Sequence, residues 1–465
     1  MKYSIFRSEE QFIVPILEEC KKLSDKSESD SKLQKRNDFI EKYKSLNYKQ
    51  VRFITLSPEQ VQIQLYKVKQ ITFEITDACN LNCKYCAYGD LYNDYDKRKE
   101  KSMDSKVAKT LLNYLVDFWN LPSNTSFKKE ITISFYGGEP LLNMSFIKEI
   151  VAHCENLKLK YNSFVFSLTT NALLLYKNID FFVSKNFDLL VSLDGDRINN
   201  SYRVFRNNKE SFDQVIRNLK LTKSRYPDYF KKHIHFNSVI HNRNSIAGIY
   251  SFFKSNFDKF PSVGELNNSG IKPEMFEKFK KMYKNSTQSL KSTNERKKIQ
   301  NEMFLKFNNV QNLGIFLKEF SGNIYSSYLD LLVDRQVINR LPTGTCLPFS
   351  KKMFITVNGK ILPCERVGHN FMLGTVNNNS VSIDFEDIAK KYNNYFQSII
   401  NQCIACENKM ACKQCIFQIE KLETHPICYG FMNKKKLDSY INNMISIIKE
   451  DTSLYSKILN STTTI

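Results

Sequence analysis

The sequence lacks the features that mark several large classes of proteins. Its first ten residues contain no apolar segment of the kind that a signal peptide needs, and no run approaches the roughly 18 apolar residues of a membrane helix. No period of about 20–50 residues repeats, which excludes a solenoid. We therefore expect a cytoplasmic protein without membrane contact, in which cysteines bind metals more often than they form disulfides.

Tryptophan, histidine and glycine are scarce, with 1, 6 and 14 copies, whereas cysteine, with 12, is not. The 465 residues are 42% hydrophobic and include 35 Phe and 24 Tyr, which is enough to bury the cores of two or three domains. The formal net charge is +20, but lysines alternate with acidic residues and form no long basic block. The net charge does not distinguish a solvated basic surface from a basic surface with a function. We predict no nucleic-acid partner.

Short β-rich segments alternate with helical patterns in the first half of the chain. The segments are ITFEIT (71–76), ITISFY (131–136), FVFSLTT (164–170), LLVSLDG (189–195) and HIHFNSVI (233–240). Between the first two, residues 105–119 place apolar side chains along one helical face. This alternation predicts a parallel α/β sheet, open or closed as a barrel, in which ligands bind at the carboxyl ends of the strands.

Three cysteines follow the first predicted strand directly, at Cys79, Cys83 and Cys86. A structural zinc site would need a fourth ligand, and no fourth Cys or His is close in the sequence. A [4Fe–4S] cluster also needs four ligands, but one of its irons can be left for an outside ligand. The spacing favours the cluster, with zinc as the alternative. GGEP (137–140), TTNA (169–172) and SLDG (192–195) end the next three strands, so all four motifs should meet at one edge of the sheet.

These motifs resemble the signature of radical S-adenosylmethionine enzymes. The likeness consists of C-x3-C-x2-C, the aromatic Tyr85 before the third cysteine, and the three later motifs in order, over about residues 70–245. It implies a partial (β/α)6 TIM-like barrel and a [4Fe–4S] cluster on the three cysteines. It also implies S-adenosylmethionine as cofactor, cleaved to a 5′-deoxyadenosyl radical that abstracts a hydrogen atom from the substrate.

The resemblance further implies a set of cofactor contacts. They are Tyr85, Gly137, Gly138, Glu139, Ser192, Asp194 and Arg203. Glu139 is expected to accept hydrogen bonds from the cofactor ammonium, with close backbone approach at the two glycines. Ser192 and Asp194, two apart on a strand, would bond the methionyl carboxylate and the ribose hydroxyls, and Arg203 would pair with a carboxylate. The His-Asp pair that usually follows SLDG is absent, and residues 199–200 are Asn-Asn.

Seven of the twelve cysteines lie from residue 346 to residue 428. Their two C-x2-C units would suit one or two zinc sites, but seven thiolates divide badly into closed tetrahedra. The pattern resembles the SPASM domain, which holds two auxiliary [4Fe–4S] clusters, although the last spacing is x2 where that domain usually has x3. The resemblance assigns Cys403, Cys406, Cys412 and Cys428 to one cluster. It assigns Cys346, Cys364 and Cys415 to the nearer cluster.

The nearer cluster would have one ligand too few, and Glu365 is the nearest acidic residue by sequence. We consider two interpretations of Glu365: a catalytic base that takes the proton released as the product radical is oxidised, or a plain surface glutamate. We assign chemistry to none of the histidines, and we expect His233 and His235 to alternate on a strand. Cys20 and Cys154 fall in helical patterns and are predicted to be buried apolar residues rather than ligands.

We predict five regions along the chain. They are an N-terminal region (1–68), a radical SAM core (69–250), a helical bridging region (251–340), a SPASM iron–sulfur domain (341–430) and a helical tail (431–465). The N-terminal region would either capture a leader peptide by adding a strand to a sheet edge or pack on the core as a helical decoration.

A core followed by a SPASM domain is the architecture of peptide and protein maturases. The resemblance implies that the chain modifies a ribosomally made precursor peptide through a thioether or carbon–carbon crosslink. Its partners would be that peptide and an electron donor such as a flavodoxin or a ferredoxin. Two alternatives stay open: an anaerobic sulfatase-maturase-like enzyme that generates formylglycine, and a non-catalytic iron–sulfur or zinc protein.

Overall fold

The computed structural model describes residues 50–121, 130–303, 312–317 and 337–450, together with Leu454 and Ile458. Residues 1–49, which hold most of the predicted N-terminal region and Cys20, lie outside the described residues. The chain divides into two compact units. The core unit falls within residues 56–307 and 346–391, and the C-terminal unit within 1–55, 308–345 and 392–465.

The secondary structure elements are numbered in chain order. The strands are β1 (Gln50–Phe53), β2 (Gln70–Thr76), β3 (Glu130–Gly137), β4 (Ser163–Thr170), β5 (Asp188–Ser192), β6 (Ile234–Ile240), β7 (Ser262–Glu265), β8 (Val337–Arg340), β9 (Met353–Ile355), β10 (Lys360–Leu362), β11 (Gly374–Val376) and β12 (Val381–Ile383). The helices are α1 (Pro58–Tyr66), α2 (Ser105–Trp119), α3 (Met144–Asn156), α4 (Leu175–Ser184), α5 (Phe212–Arg225), α6 (Pro227–His233), α7 (Ile246–Phe257), α8 (Phe276–Met282), α9 (Ser286–Lys291), α10 (Arg296–Glu302), α11 (Phe385–Ala405) and α12 (Lys434–Glu450). Among these described helices none is both long and apolar enough to cross a membrane.

The core unit is built on one mostly parallel sheet. Strands β2 to β7 pair in chain order and all run parallel, with helices in the connections. Strand β9 pairs with β2 in parallel, and β9 to β12 continue as an antiparallel meander. Within the described residues the pairing ends at β7 and at β12, so the sheet stays open. The predicted α/β fold with six parallel strands is therefore confirmed, as an open sheet rather than a closed barrel.

The two faces of this sheet differ in chemistry. On β2 and β3, Ile71, Phe73, Ile133 and Phe135 are fully buried on one face, where Phe135 packs edge-on against Phe146 of α3. The side chains between them in sequence point the other way, because successive side chains of a strand alternate. That second face, here called the polar face, carries Thr72, Glu74, Thr132, Ser134 and Tyr136. The polar face therefore carries the side chains of these strands that can hydrogen-bond to a polar group.

Helix α2 forms over the residues that the periodicity predicted. Its N-cap is Asp104, whose side chain accepts a hydrogen bond from the main-chain N–H of Lys106. The buried residues of the helix recur at helical spacing and are Ala108, Leu111, Leu112, Leu115 and Trp119. Cys154 is likewise buried in α3, as predicted for an apolar residue.

Two local predictions differ from the structure. His233 does not alternate with His235 on a strand, because Pro227 opens helix α6 and that helix runs through His233 before β6 begins. The sixth parallel strand, β7, lies in the stretch expected to be mostly helical. It has four residues, which is too short for a period of two to stand out.

Candidate functional site

The loop that carries Cys79, Cys83 and Cys86 follows β2 and is held first by the glycines after β3. The main-chain N–H of Gly138 donates to the Thr76 carbonyl at 2.8 Å. A Cβ at Gly137 would lie 2.2 Å from that same oxygen, and one at Gly138 would lie 2.1 Å from the Ala78 oxygen. The two glycines therefore allow a close approach to the strand end that leads into the cysteine loop. Their contact with the cofactor stays a prediction.

The segment after the SLDG motif holds the other side of the cysteine loop. The main-chain N–H groups of Asn82 and Lys84 donate to the carbonyls of Val204 and Tyr202, at 2.7 and 3.0 Å. Arg206 adds a hydrogen bond from its Nε to the Cys79 carbonyl at 3.0 Å. Because these bonds involve the main chain of the loop, they fix its path independently of what its thiols bind.

The three thiols of this loop are half-buried and lie close enough to act on one another. Burial raises the pKa of the Cys79 thiol, and it raises the pKa of the Cys83 thiol to about 12, although the nearby Arg203 guanidinium acts in the opposite direction. Arg98 places its Nη2 3.4 Å from the Cys86 sulfur. Two guanidinium groups beside three thiols fit a group that these cysteines would bind as thiolates, such as an iron–sulfur cluster.

Glu139 is a buried carboxylate, with 1% of its surface exposed. Its Oε1 accepts hydrogen bonds from the Thr170 hydroxyl at 2.7 Å and the Leu141 N–H at 3.1 Å, and its Oε2 accepts from the Asn171 N–H at 2.8 Å. Burial raises the pKa of Glu139 to about 7, and among the described residues the groups that lower this pKa are hydrogen-bond donors rather than cations. A buried carboxylate without a cationic partner fits the ammonium group of S-adenosylmethionine.

Asp194 and Arg203 pair with each other, a contact that the sequence analysis did not predict. The Arg203 guanidinium donates to both Asp194 oxygens at 3.0 and 3.1 Å, and both side chains are buried. Asp194 also accepts hydrogen bonds from the Tyr85 hydroxyl and from the Val239 N–H. The carboxylate that Arg203 binds is thus a side chain of the protein, and the predicted ribose contact of Asp194 stays untested.

Ser192 and Asp194 do not share one face of a strand, since β5 ends at Ser192 and Asp194 lies in the loop beyond it. Ser192 is half-buried at this carboxyl end, in register with Asn237 of β6. Its hydroxyl remains on the sheet edge where the other motifs meet. Its role toward a methionyl carboxylate stays a prediction.

Four of the seven C-terminal cysteines meet in the C-terminal unit. Cys403, Cys406, Cys412 and Cys428 line one cavity together with Phe53, Thr343, Gln402, Lys409, Gly430 and Phe431. Burial raises the pKa of the Cys403 thiol to about 12 and also raises the pKa of the Cys412 and Cys428 thiols. Arg340 of β8 donates to the carbonyls of Lys409, Met410 and Cys412, which fixes the loop between two of the thiols.

The three cysteines assigned to the nearer cluster divide between the units. Cys346 is exposed and Cys364 half-buried in the core unit, while Cys415 belongs to the C-terminal unit. Their grouping stays a prediction. Glu365, next to Cys364, is bound by Lys352, whose Nζ lies 3.0 and 3.3 Å from its two oxygens. In the parts of the chain that the structure describes, no three His, Cys, Asp or Glu side chains form a group that could hold a metal ion.

The sequence analysis missed three polar residues beside the cysteine loop: Arg98, Glu74 and Asn171. Arg98 and the side chain of Asn171 lie 3.4 and 4.0 Å from the sulfurs of Cys86 and Cys79. Glu74 could have been noticed, because it is a charged residue between Phe73 and Ile75 in a predicted buried strand. Arg98 gave no such signal in its polar loop.

An open parallel α/β sheet with a three-cysteine loop at its carboxyl edge defines the class of protein. Residues 73–250 match the family model of the Radical SAM superfamily. The chain therefore contains a radical SAM domain, and it is a radical SAM enzyme.

The relatives found by sequence include enzymes named for different activities. The chain is 23% identical over 405 residues to the radical SAM cyclopropyl synthase TigE of Paramaledivibacter caminithermalis, covering 84% of this chain and 76% of the relative. It is 24% identical over 350 residues to the cysteine-type anaerobic sulfatase-maturating enzyme of Clostridium novyi, covering 71% and 82%. The structure of native anSMEcpe with bound AdoMet and Cp18Cys peptide superposes with a TM-score of 0.54 at 19% identity, over 84% of this chain and 99% of that one. This last likeness shows a shared fold.

Proposed function

We propose that this chain is a radical SAM/SPASM maturase that modifies a ribosomally made precursor peptide by a thioether or carbon–carbon crosslink. The observation that carries the proposal is that the chain has two separate sets of cysteines, one of three and one of four. Three cysteines at the sheet edge would leave one cluster iron open, and four in the C-terminal unit would fill every iron. The relatives named above are a cyclopropyl synthase and a sulfatase-maturating enzyme, and the structure of anSMEcpe contains a bound peptide.

Cys79, Cys83 and Cys86 would hold the first [4Fe–4S] cluster. With S-adenosylmethionine bound, that cluster supplies reductive cleavage of the cofactor to a 5′-deoxyadenosyl radical. Glu139 then neutralises the cofactor ammonium, and the Ser192 hydroxyl is available to its carboxylate. The protein's own part is thus to hold the cofactor at the sheet edge with buried, fixed acceptors.

The C-terminal unit would hold an auxiliary cluster on Cys403, Cys406, Cys412 and Cys428. We propose a second auxiliary cluster on Cys346, Cys364 and Cys415, which makes three clusters in all. An electron donor such as a flavodoxin or a ferredoxin would reduce the first one.

The test is to reconstitute the full chain anaerobically with iron and sulfide and to supply S-adenosylmethionine and a reductant. The substrate to add is any short peptide that an open reading frame next to this gene encodes. We expect 5′-deoxyadenosine together with a peptide that has lost two hydrogen atoms, detected by mass spectrometry. Formylglycine in a sulfatase-derived peptide, with no change in the precursor peptide, would overturn the crosslink proposal. A chain that forms no 5′-deoxyadenosine under any of these conditions would overturn the whole proposal.

A further inference from the structure

The segment after the cysteine loop returns along the end of β2 and is tied there by one carboxylate. Asp77 is 6% exposed and lies two residues before Cys79. Its Oδ2 accepts a hydrogen bond from the Lys99 N–H at 2.9 Å, and its Oδ1 accepts one from the Lys101 N–H at 2.6 Å. The Asp77 N–H in turn donates to the Lys101 carbonyl at 3.0 Å. Residues 97–101, here called the strap, are therefore fixed beside the cysteine loop.

The strap places a guanidinium group against one thiol of that loop. The Nη2 of Arg98 donates to the Cys86 sulfur at 3.4 Å, and the guanidinium lies 4.6 Å from the centre of the Tyr88 ring. Although burial opposes the charge of Arg98, the Cys86 and Cys79 sulfurs raise its pKa. Among the described residues it is thus a sulfur, not a carboxylate, that accepts the hydrogen bond of this cation.

A cation beside a sulfur ligand changes how easily an iron–sulfur group accepts an electron. Reduction adds one negative charge to the group, and a charge-assisted hydrogen bond to its sulfur favours the more negative state. Such hydrogen bonds and the local charge are among the factors that set the reduction potential of a cluster. The other guanidinium near the thiols, that of Arg203, is already bound to both oxygens of Asp194. Arg98 is therefore the cation whose charge can act on the sulfurs.

We propose that Arg98 raises the reduction potential of the first cluster by donating a hydrogen bond to the Cys86 thiolate. Asp77 is a positioning residue that acts through Arg98, because it fixes the main chain of the strap and so keeps the guanidinium at the sulfur. This inference rests on the proposed function and deepens it: it names the residue that eases the transfer of one electron from the electron donor to this cluster.

The test measures the midpoint potential of the first cluster in the reconstituted full-length protein, by redox titration followed with electron paramagnetic resonance. The signal of this cluster is the part of the spectrum that changes when S-adenosylhomocysteine is added, a probe that lacks the sulfonium group and is not cleaved. We expect Arg98→Gln to lower the ratio of reduced to oxidised cluster at a given potential about tenfold, which corresponds to about 59 mV for one electron. Arg98→Lys keeps the charge and should recover part of this shift.

Two further variants separate the roles of charge and position. Lys97→Gln is the matched control: it removes an exposed cation next to Arg98, which water and salt screen, and should leave the potential unchanged. Asp77→Asn should lower the potential as Arg98→Gln does, which keeps the proposal testable if Arg98→Gln folds poorly. Because Asp77 acts through Arg98, the double variant should shift the potential no further than Arg98→Gln alone. A merely structural role of Asp77 would change the yield of folded protein instead of the potential.

Three results would overturn the inference. Arg98→Gln could leave the potential unchanged or raise it. Lys97→Gln could lower the potential as much as Arg98→Gln, which would make the effect one of overall charge. The shifts of Asp77→Asn and Arg98→Gln could add in the double variant, which would contradict a positioning role of Asp77. Failure of the proposed function looks different, since no signal would then respond to S-adenosylhomocysteine and no 5′-deoxyadenosine would form.

Discussion

The two groups of cysteines differ in number and in surroundings. The core loop has three thiols, and charged side chains such as Arg98 and Glu139 lie around it. The C-terminal group has four thiols in one cavity with Phe53, Phe431 and a single charged side chain of the lining, Lys409, and Arg340 binds the carbonyls of its loop rather than a sulfur. The first arrangement suits a metal group with one position open to an exchangeable polar ligand. The second suits a group that is closed on all sides.

The spacing of the cysteines and their surroundings therefore carry separate information. Spacing indicates how many corners of a cluster the chain can fill, while the neighbouring charges indicate whether anything else must bind there. In this protein the cysteine spacing and the neighbouring charges lead to the same conclusion.

The largest expected effect is the loss of cofactor cleavage from the core loop alone. Replacing Cys79, Cys83 and Cys86 with Ala should abolish 5′-deoxyadenosine formation and remove about four of about twelve irons. Replacing the four cysteines of the C-terminal cavity should remove a similar amount of iron. It should not change the cofactor cleavage that is measured in the absence of peptide. Iron analysis and chromatography of the nucleoside measure both.

Cys154→Ala, which alters a buried thiol of helix α3, serves as the control and should keep both iron and cleavage. Equal loss of cleavage from both sets of replacements would show that the two groups do not differ as we infer. Zinc as the main metal in protein purified without oxygen would contradict both assignments.

The next effect concerns stability, through the ion pair of Asp194 and Arg203. Asp194→Ala would leave a buried guanidinium without its partner, and breaking such a pair typically costs about 3–5 kcal/mol. We therefore expect a large decrease in the free energy of unfolding, measured by urea denaturation of the metal-free protein. Arg197→Ala breaks exposed ion pairs with Glu210 and Asp213 and should change little. Equal, small effects of the two variants would contradict a stabilising role of the Asp194–Arg203 pair.

This pair also shows where sequence analysis reaches its limit. The strands, the helix at residues 105–119 and the order of the motifs could be predicted, because each depends on a local pattern or on the parallel topology. The contact between Asp194 and Arg203 depends instead on how the loop after β5 folds back. The partner of Glu74, Val357, is 283 residues away in sequence and reaches it only because β9 pairs with β2. No local pattern carries that information.

A third effect is on cofactor affinity and its dependence on pH. Glu139 should lose its proton to receive the cofactor ammonium, and burial places its pKa at about 7 in the free protein. Below that pH, binding must also remove the proton, so affinity should rise as pH increases through about 7 and then level off. Glu139→Gln should weaken binding about tenfold to a hundredfold at pH 8 and flatten the profile. Calorimetric titration over pH 6–9 gives both quantities, and a profile unchanged in Glu139→Gln would remove Glu139 from the cofactor site.

The smallest expected effect is at Glu365, the acidic residue beside Cys364. Lys352 donates to both of its oxygens, and the two side chains are about three-quarters buried, so the carboxylate is already satisfied. As an ion pair alone it should contribute at most about 1 kcal/mol, and Glu365→Gln should change product formation by no more than about twofold. The matched variant Lys352→Met should have an effect of the same size. A base role predicts instead a loss of product of about 100- to 10,000-fold in Glu365→Gln, with cofactor cleavage kept and Lys352→Met much milder. Single-turnover assays that quantify 5′-deoxyadenosine and peptide product together separate the two interpretations.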